Sequence, residues 1–115
     1  MNEQTLSLLF NFIKQTQSKR IKANQIPKFE YNEQAALDWA RFTQEEAGEI
    51  VAEFQCRKPW KDYKPVNKEK ALVECADTLI QLAHTVMYLG YSGEDLFNAV
   101  VSKMNTKRED WRKVN

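Results

Sequence analysis

The sequence has no run of eighteen apolar residues, only three glycines and three prolines, and almost no net charge. The first absence excludes a transmembrane helix, and the low glycine and proline content excludes a collagen-like or low-complexity chain. Seventeen Lys and Arg against sixteen Asp and Glu leave a formal charge of +1, so no overall field attracts nucleic acid or an anionic membrane. Any binding function must therefore depend on local arrangements of charge.

The N-terminus lacks the features of a secretory signal, and the two cysteines lack the spacing of a redox or metal motif. Glu3 stands early, and no continuous apolar stretch or small-residue cleavage site follows it. Because Cys56 and Cys75 form no CxxC pair, we expect reduced thiols in a cytoplasmic protein. The 115 residues, 43% of them apolar and 29% charged, fit one compact domain spanning residues 1–115.

Apolar residues recur at three- and four-residue spacing in four segments, and no segment alternates as a strand does. Asn32 and Asn67 are placed to cap the second and third helices, and Gly90 to end the third. Ser92 with Asp95 predicts a capping box for the fourth. Short connections favour antiparallel neighbours, so we expect an all-α fold, a four-helix bundle. The predicted helices span about 5–20, 32–57, 68–89 and 92–112.

The second helix separates an apolar arc from an acidic stripe when its residues are placed at about 100° intervals. The stripe carries Glu46, Glu49 and Glu53 after Phe42, with Glu45 beside it. No Lys or Arg is interleaved with these acids, so they repel one another at a local cost. The opposite arc contains Ala36, Leu37, Ala40, Ala47, Ile50, Val51 and Phe54.

The third helix repeats this division. Glu74 and Asp77 lie outside a wide apolar arc, and Glu46 with Glu49 form a similar pair on the second helix. Antiparallel packing would bring the two pairs together as oxygen ligands for a hard divalent cation such as Mg²⁺. The alternative is that both pairs belong to ordinary solvated faces. The apolar arc contains Leu72, Val73, Ala76, Leu79, Ile80, Ala83, Val86 and Met87.

Three motifs in order give the chain a family resemblance. The segments EEAGE at 45–49 and ECAD at 74–77, followed by KMNTKR at 103–108, resemble the EExxE…ExxD signature of the MazG-like all-α nucleoside triphosphate pyrophosphohydrolases. The resemblance covers about residues 39–110, and the order and spacing of the motifs make it specific.

The resemblance implies a Mg²⁺-dependent enzyme, with Mn²⁺ as a possible substitute, that cleaves a nucleoside triphosphate between its α- and β-phosphates. The products would be a nucleoside monophosphate and pyrophosphate, and the purpose would be either nucleotide-pool housecleaning or control of pool size. By matching positions, Glu46, Glu49, Glu74 and Asp77 would bind the metal, and Glu45 with Glu46 would be catalytic. Glu45 would orient or deprotonate the attacking water.

Substrate contacts are expected from the last helix and from the acidic stripe. Lys103 and Arg108 resemble phosphate-contacting positions of the family, and Asn105 would reach the sugar or base. Phe42 lies one turn before Glu46, so a base stacked on it would place its phosphates near the metal. The alternatives are that the cations only complement the helix dipole and that Phe42 packs in the core.

The oligomeric state and the activity each have more than one candidate. The first helix has two apolar faces, and proteins of the MazG-like family form dimers or tetramers. We therefore expect a homodimer or homotetramer. One rival is phosphoribosyl-ATP pyrophosphohydrolase, which shares the acidic motif. Another is a non-catalytic helical module whose acidic faces bind a basic partner. A helix-turn-helix DNA-binding protein is disfavoured by the neutral charge and the acidic stripe.

Overall fold

The computed structural model describes the backbone of residues 3–54 and 65–114, and the side chains of 4–54 and 65–106. Within these residues the fold is all-helical, with no strand, as the sequence predicts. The predicted helix boundaries agree within three residues wherever the structure describes them. The four helices are α1 (Glu3–Lys22), α2 (Glu33–Phe54), α3 (Lys68–Tyr88) and α4 (Gly93–Val114).

Side-chain caps begin the helices where the sequence predicts them. The Asn32 Oδ1 accepts a hydrogen bond from the backbone N–H of Ala35 at 3.0 Å, and the Asn67 Oδ1 accepts one from Lys70 at 3.1 Å. Each bond satisfies an amide that the first helical turn leaves without a backbone partner. These caps fix the positions at which α2 and α3 begin.

The tight connection between α3 and α4 depends on two glycines. Gly90 has φ of +90°, a conformation that side chains with a Cβ rarely adopt. Gly93 begins α4 against α1, and a Cβ added there would lie 2.6 Å from the backbone oxygen of Leu6. Between them the predicted capping box is formed: Asp95 accepts from the Ser92 N–H at 2.8 Å, and Ser92 accepts from the Asp95 N–H at 3.2 Å.

α2 and α3 form a long antiparallel pair, which places the site. The start of α2 is tied to the end of α3, because the Asn32 N–H donates to the Tyr88 carbonyl at 2.8 Å. Further along the pair, the rings of Trp39 and His84 stack at 3.9 Å. Seven residues, or two helical turns, separate Trp39 from Glu46, and seven separate His84 from Asp77. The same register therefore brings the acidic segments of the two helices level with each other.

The buried core lies at one end of this pair, where α1 and α4 pack on it. Phe10 of α1 and Tyr88 of α3 are fully buried there, and Phe29 of the connecting segment packs against both core clusters. The Tyr88 hydroxyl donates to the Pro27 carbonyl at 2.6 Å and so ties this segment down. The other buried apolar side chains among those described are Leu6, Ile13, Ala35, Ala36, Ala83, Val86 and Met87.

The apolar arc of α2 stays largely outside this core. Leu37, Val51 and Phe54 are 43%, 50% and 48% exposed, and on α3 Leu72 and Val73 are exposed as well. The radius of gyration is 17.7 Å, whereas a compact chain of this length has about 13 Å. The single chain is therefore extended, and much of its apolar surface has no cover from its own described residues.

Candidate metal centre

Three carboxylates meet at the seam between α2 and α3. Glu46 of α2 and Glu74 and Asp77 of α3 each offer an oxygen, and these oxygens lie within 4.8 Å of one another. All three side chains are half-buried. Because Glu74 and Asp77 are three residues apart, they occupy neighbouring positions on one helical face, and the antiparallel partner supplies the third group.

The electrostatics of the seam are unfavourable for a metal-free protein. Partial burial raises the pKa of the Glu74 carboxyl above its ordinary value, and nearby negative charges raise it further. In order of effect these charges belong to Asp77, Glu49, Glu46 and Glu53. No cation forms an ion pair with the cluster among the described side chains. The seam therefore concentrates negative charge that a bound cation would relieve.

The donor set fits a hard divalent ion. Magnesium takes oxygen ligands at about 2.0–2.1 Å, so opposite ligands of one ion lie about 4.2 Å apart. The three carboxylate oxygens lie within 4.8 Å of one another, a separation close to this value. Small rotations of the side chains would bring the oxygens into contact with one ion. Three carboxylates leave room in an octahedral shell for water and phosphate oxygens, the usual arrangement for Mg²⁺.

The two other predicted acids of α2 are placed differently. Glu49 adds to the negative potential at Glu74, but it is exposed and lies outside the three-oxygen group. Glu45 is exposed as well. Relative to Glu46, Glu45 is rotated around the helix axis by about 100° and Glu49 by about 60°. Both positions therefore turn away from the seam. They are accessible to a ligand above the cluster rather than packed between the helices.

A cleft opens beside the carboxylates towards the start of α3. It has a volume of about 520 Å³ and is lined by Glu53, Glu74, Lys70 and Asn67, among others. Lys70 is a cation that the sequence analysis missed. It lies seven residues before Asp77, which places it on the same face of α3 two turns away, and this spacing is the signal that would have found it.

Aromatic residues occupy the other side of the cluster, towards the start of α2. The ring of Phe42 is 45% exposed and meets Trp39 edge to face, with centroids 5.5 Å apart. Trp39 itself stacks on His84 and so belongs to the interior. Phe42 thus lies one turn from Glu46 with an accessible ring, as the sequence analysis expected.

His84, the only histidine, is buried and structural rather than placed for proton transfer. Its Nδ1 lies 2.7 Å from the Ile80 carbonyl, which can only accept, so Nδ1 carries the proton. Its Nε2 then accepts from the side-chain amide of Gln17 at 3.0 Å. Burial lowers the pKa of His84; the hydrogen bond to Ile80 opposes this shift, and the charge of Arg20 adds to it.

Of the predicted substrate residues of α4, the two whose side chains are described do not line the cleft beside the carboxylates. Lys103 and Asn105 are exposed on α4, which packs against α1, and neither lines the cleft beside Glu74. The Arg108 side chain lies outside the described residues. A contact between these groups and a ligand at the cluster stays a prediction.

The chain matches no protein-family model, no curated protein sequence and no solved structure. The MazG-like resemblance therefore depends on the sequence motifs alone. None of the helices in the described part of the chain has the length and apolarity needed to cross a membrane.

Proposed function

We propose that this protein is a Mg²⁺-dependent nucleoside triphosphate pyrophosphohydrolase of the MazG-like type. The single observation that carries the proposal is the convergence of Glu46, Glu74 and Asp77, from two helices, within 4.8 Å. Two of the flanking features suit a nucleotide: an accessible aromatic ring at Phe42 and a cation at Lys70.

In this proposal Glu46, Glu74 and Asp77 hold the cation. Bound Mg²⁺ neutralises charge on the phosphate oxygens and lowers the pKa of a coordinated water. Glu45 lies next to Glu46 and is exposed, so its carboxylate is free to orient the attacking water and accept its proton. Attack at the α-phosphorus gives the monophosphate and releases pyrophosphate.

The remaining groups position the substrate. Phe42 stacks on the base, and Lys70 offers a positive charge to the outer phosphates at the far end of the seam. Glu49 is exposed one turn after Glu45 and adds a carboxylate for a further ion. Lys103, Asn105 and Arg108 would reach this site from another chain, since α4 does not lie along the seam of its own chain.

The proposal includes a homo-oligomer. The apolar arc of α2, with Leu37, Val51 and Phe54, is about half exposed, although Glu46 of the same helix faces α3. Burying such surface in water is worth roughly 25 cal/mol per Å². A second copy offers the same arc, and two arcs packed together would form one continuous apolar core.

The decisive experiment supplies a panel of ribo- and deoxynucleoside triphosphates with Mg²⁺ or Mn²⁺, and assays pyrophosphate and orthophosphate separately. Phosphoribosyl-ATP is included in the panel to test the histidine-pathway rival. Pyrophosphate release that Asp77→Ala and Glu49→Ala abolish, in proteins with unchanged helical circular dichroism, supports the assignment. Exposed Glu33 of α2 lies outside the carboxylate cluster and the cleft beside it, so Glu33→Gln is the matched control.

Each contrary outcome is informative. Orthophosphate release would refute cleavage between the α- and β-phosphates. Full activity in both alanine variants would remove the carboxylates from the mechanism. A protein that neither hydrolyses nucleotides nor responds to Mg²⁺ would favour the non-catalytic module, whose exposed acids bind a basic partner.

A further inference from the structure

A second cleft, separate from the carboxylates, lies between the start of α2 and the segment that precedes it. Its volume is about 320 Å³, at the lower end of the range for small-ligand sites. Trp39, Phe42, Ile26 and Pro27 contribute apolar walls, and Asp38 contributes a carboxylate. Because it combines an apolar lining with one charged group, the cleft suits a flat ring with a polar edge.

The ring surface in this cleft is suited to stacking. Phe42 is half-exposed and is braced edge-on by Trp39, which is itself fixed by stacking on His84. A nucleobase gains roughly 1–3 kcal/mol from stacking on such a side chain, with little regard to which base it is. Stacking therefore gives affinity at this cleft, and the choice of base must come from a polar group.

Asp38 is the polar group with the clearest preference. Its Oδ1 accepts a hydrogen bond from the Gln34 amide at 2.9 Å, which orients the carboxylate and leaves the second oxygen and further lone pairs unused. Among the described side chains, Asp38 has no ion-pair partner. An ionised carboxylate only accepts hydrogen bonds, so it favours a base edge that presents donors and disfavours one that presents acceptors.

The bases differ sharply on this criterion. Guanine presents two adjacent donors, N1–H and the N2 amino group, which match the two oxygens of a carboxylate. Adenine and cytosine pair one amino donor with a ring acceptor, and uracil and thymine place their N3–H between two carbonyl oxygens. Two parallel charge-assisted bonds are stronger and more specific than one.

We infer that this cleft binds the base of a guanine nucleotide, with Asp38 accepting hydrogen bonds from N1–H and the N2 amino group. The identification of the phosphate end depends on the proposed function. Asp38 and Glu46 are eight residues apart on α2, about 12 Å along the helix axis, an interval that a nucleoside can bridge. Asp38 is thus the residue that determines specificity, and Phe42 supplies the stacking surface.

The test measures binding without chemistry. GMP, IMP, AMP, CMP and UMP are titrated into the full chain in EDTA, with calorimetry or ligand-observed NMR as the readout. We expect GMP to bind about tenfold tighter than AMP, CMP or UMP, because guanine donates two hydrogen bonds to the charged carboxylate and each of the other bases donates one. IMP keeps N1–H but lacks the N2 amino group, so its affinity falls between that of GMP and that of AMP.

Asp38→Asn changes the pattern of the polar edge while keeping its shape. The amide presents one acceptor and one donor, a pair that every base can match, guanine through its N1–H and O6, so the preference for GMP is lost. Phe42→Ala weakens all five ligands alike and keeps their order. Glu33→Gln, a carboxylate-to-amide change on the same helix outside the cleft, leaves the order and the affinities unchanged.

Equal binding of all bases by the wild type, or a guanine preference that survives in Asp38→Asn, would overturn the inference. These outcomes are distinct from failure of the proposed hydrolysis, because monophosphates in EDTA need neither the metal nor a scissile bond. Pyrophosphate release without base preference would leave the function standing and refute the guanine site. Guanine-selective binding without hydrolysis would support the guanine site and refute the proposed function.

Discussion

Replacing Asp77 by Asn should change the stability of this protein in opposite directions with and without Mg²⁺. In EDTA the three carboxylates at the α2–α3 seam repel one another, and partial burial intensifies the effect. The Asn side chain has almost the same shape as Asp but carries no charge, so the substitution removes one of the three negative charges. We therefore expect the metal-free variant to be more stable than the metal-free wild type.

With Mg²⁺ the order reverses, and the size of the effect follows from linkage. An ion at a hundred times its dissociation constant stabilises the folded state by about 2.7 kcal/mol. A chain of 115 residues unfolds with an entropy of about 0.24 kcal/mol per kelvin, so the wild-type Tm rises by about 11 °C. A hundredfold loss of affinity in Asp77→Asn would leave about 0.4 kcal/mol, a shift below about 2 °C.

Differential scanning calorimetry at matched protein concentration, with EDTA or with Mg²⁺, measures both effects. Glu33→Gln also replaces a carboxylate by an amide, but in the first turn of α2, away from the cluster, so Mg²⁺ should raise its Tm by as much as it raises that of the wild type. A wild-type Tm that Mg²⁺ leaves unchanged, or equal stabilisation of Asp77→Asn and the wild type, would refute a metal site at this cluster.

Two further predictions test the buried histidine and the exposed apolar arc. Since burial holds the pKa of His84 below its unfolded value near 6.5, the unfolded chain binds the extra proton; the free energy of unfolding, measured in urea, should therefore fall as pH drops below 6.5. His84→Gln should flatten this dependence, and an identical pH slope in that variant would contradict the assignment. Val51→Glu should reduce the mass measured by light scattering to that of one chain, because it places charge in the exposed arc. Ala52→Glu, on the other side of α2, should keep the wild-type mass; a wild type that is already monomeric would refute the assembly.

The acid cluster shows how far sequence periodicity can locate a site. Spacing alone placed Glu74 and Asp77 on one face and Glu46 with Glu49 on another, and it suggested that antiparallel helices would join them. The structure brings together three of these four acids and leaves Glu49 at the rim. A difference of three residues rotates a side chain by about 60° around the helix, and only the docking of α3 decides which rotation faces inwards.

The apolar arcs show the limit of the same method. Periodicity sorts residues into faces, but it does not say what each face meets. On α2 the acidic Glu46 faces α3, while the apolar Leu37 and Val51 remain exposed. In a self-sufficient domain the reverse would be expected, since burial of apolar area is the main driving force of folding.

Asp38 and Lys70 were missed for a related reason. Each is a single charged residue on an amphipathic helix, and such residues usually complete a solvated face. Asp38 became a candidate only because the segment at 25–27 folds against α2 and forms a cleft around it. Lys70 became one because the end of α2 brings Glu53 into the same cleft.

What the sequence by itself determined is local: the four helices, their caps at Asn32, Asn67 and Ser92, and the turn at Gly90. These features depend on hydrogen bonds and torsion angles within a few residues, so the local sequence specifies them. The tertiary structure alone decided that Glu46 joins Glu74 and Asp77, and that apolar side chains of α2 remain exposed. Those outcomes depend on the rotation and register of whole helices, which are set by the packing of residues far apart in the chain.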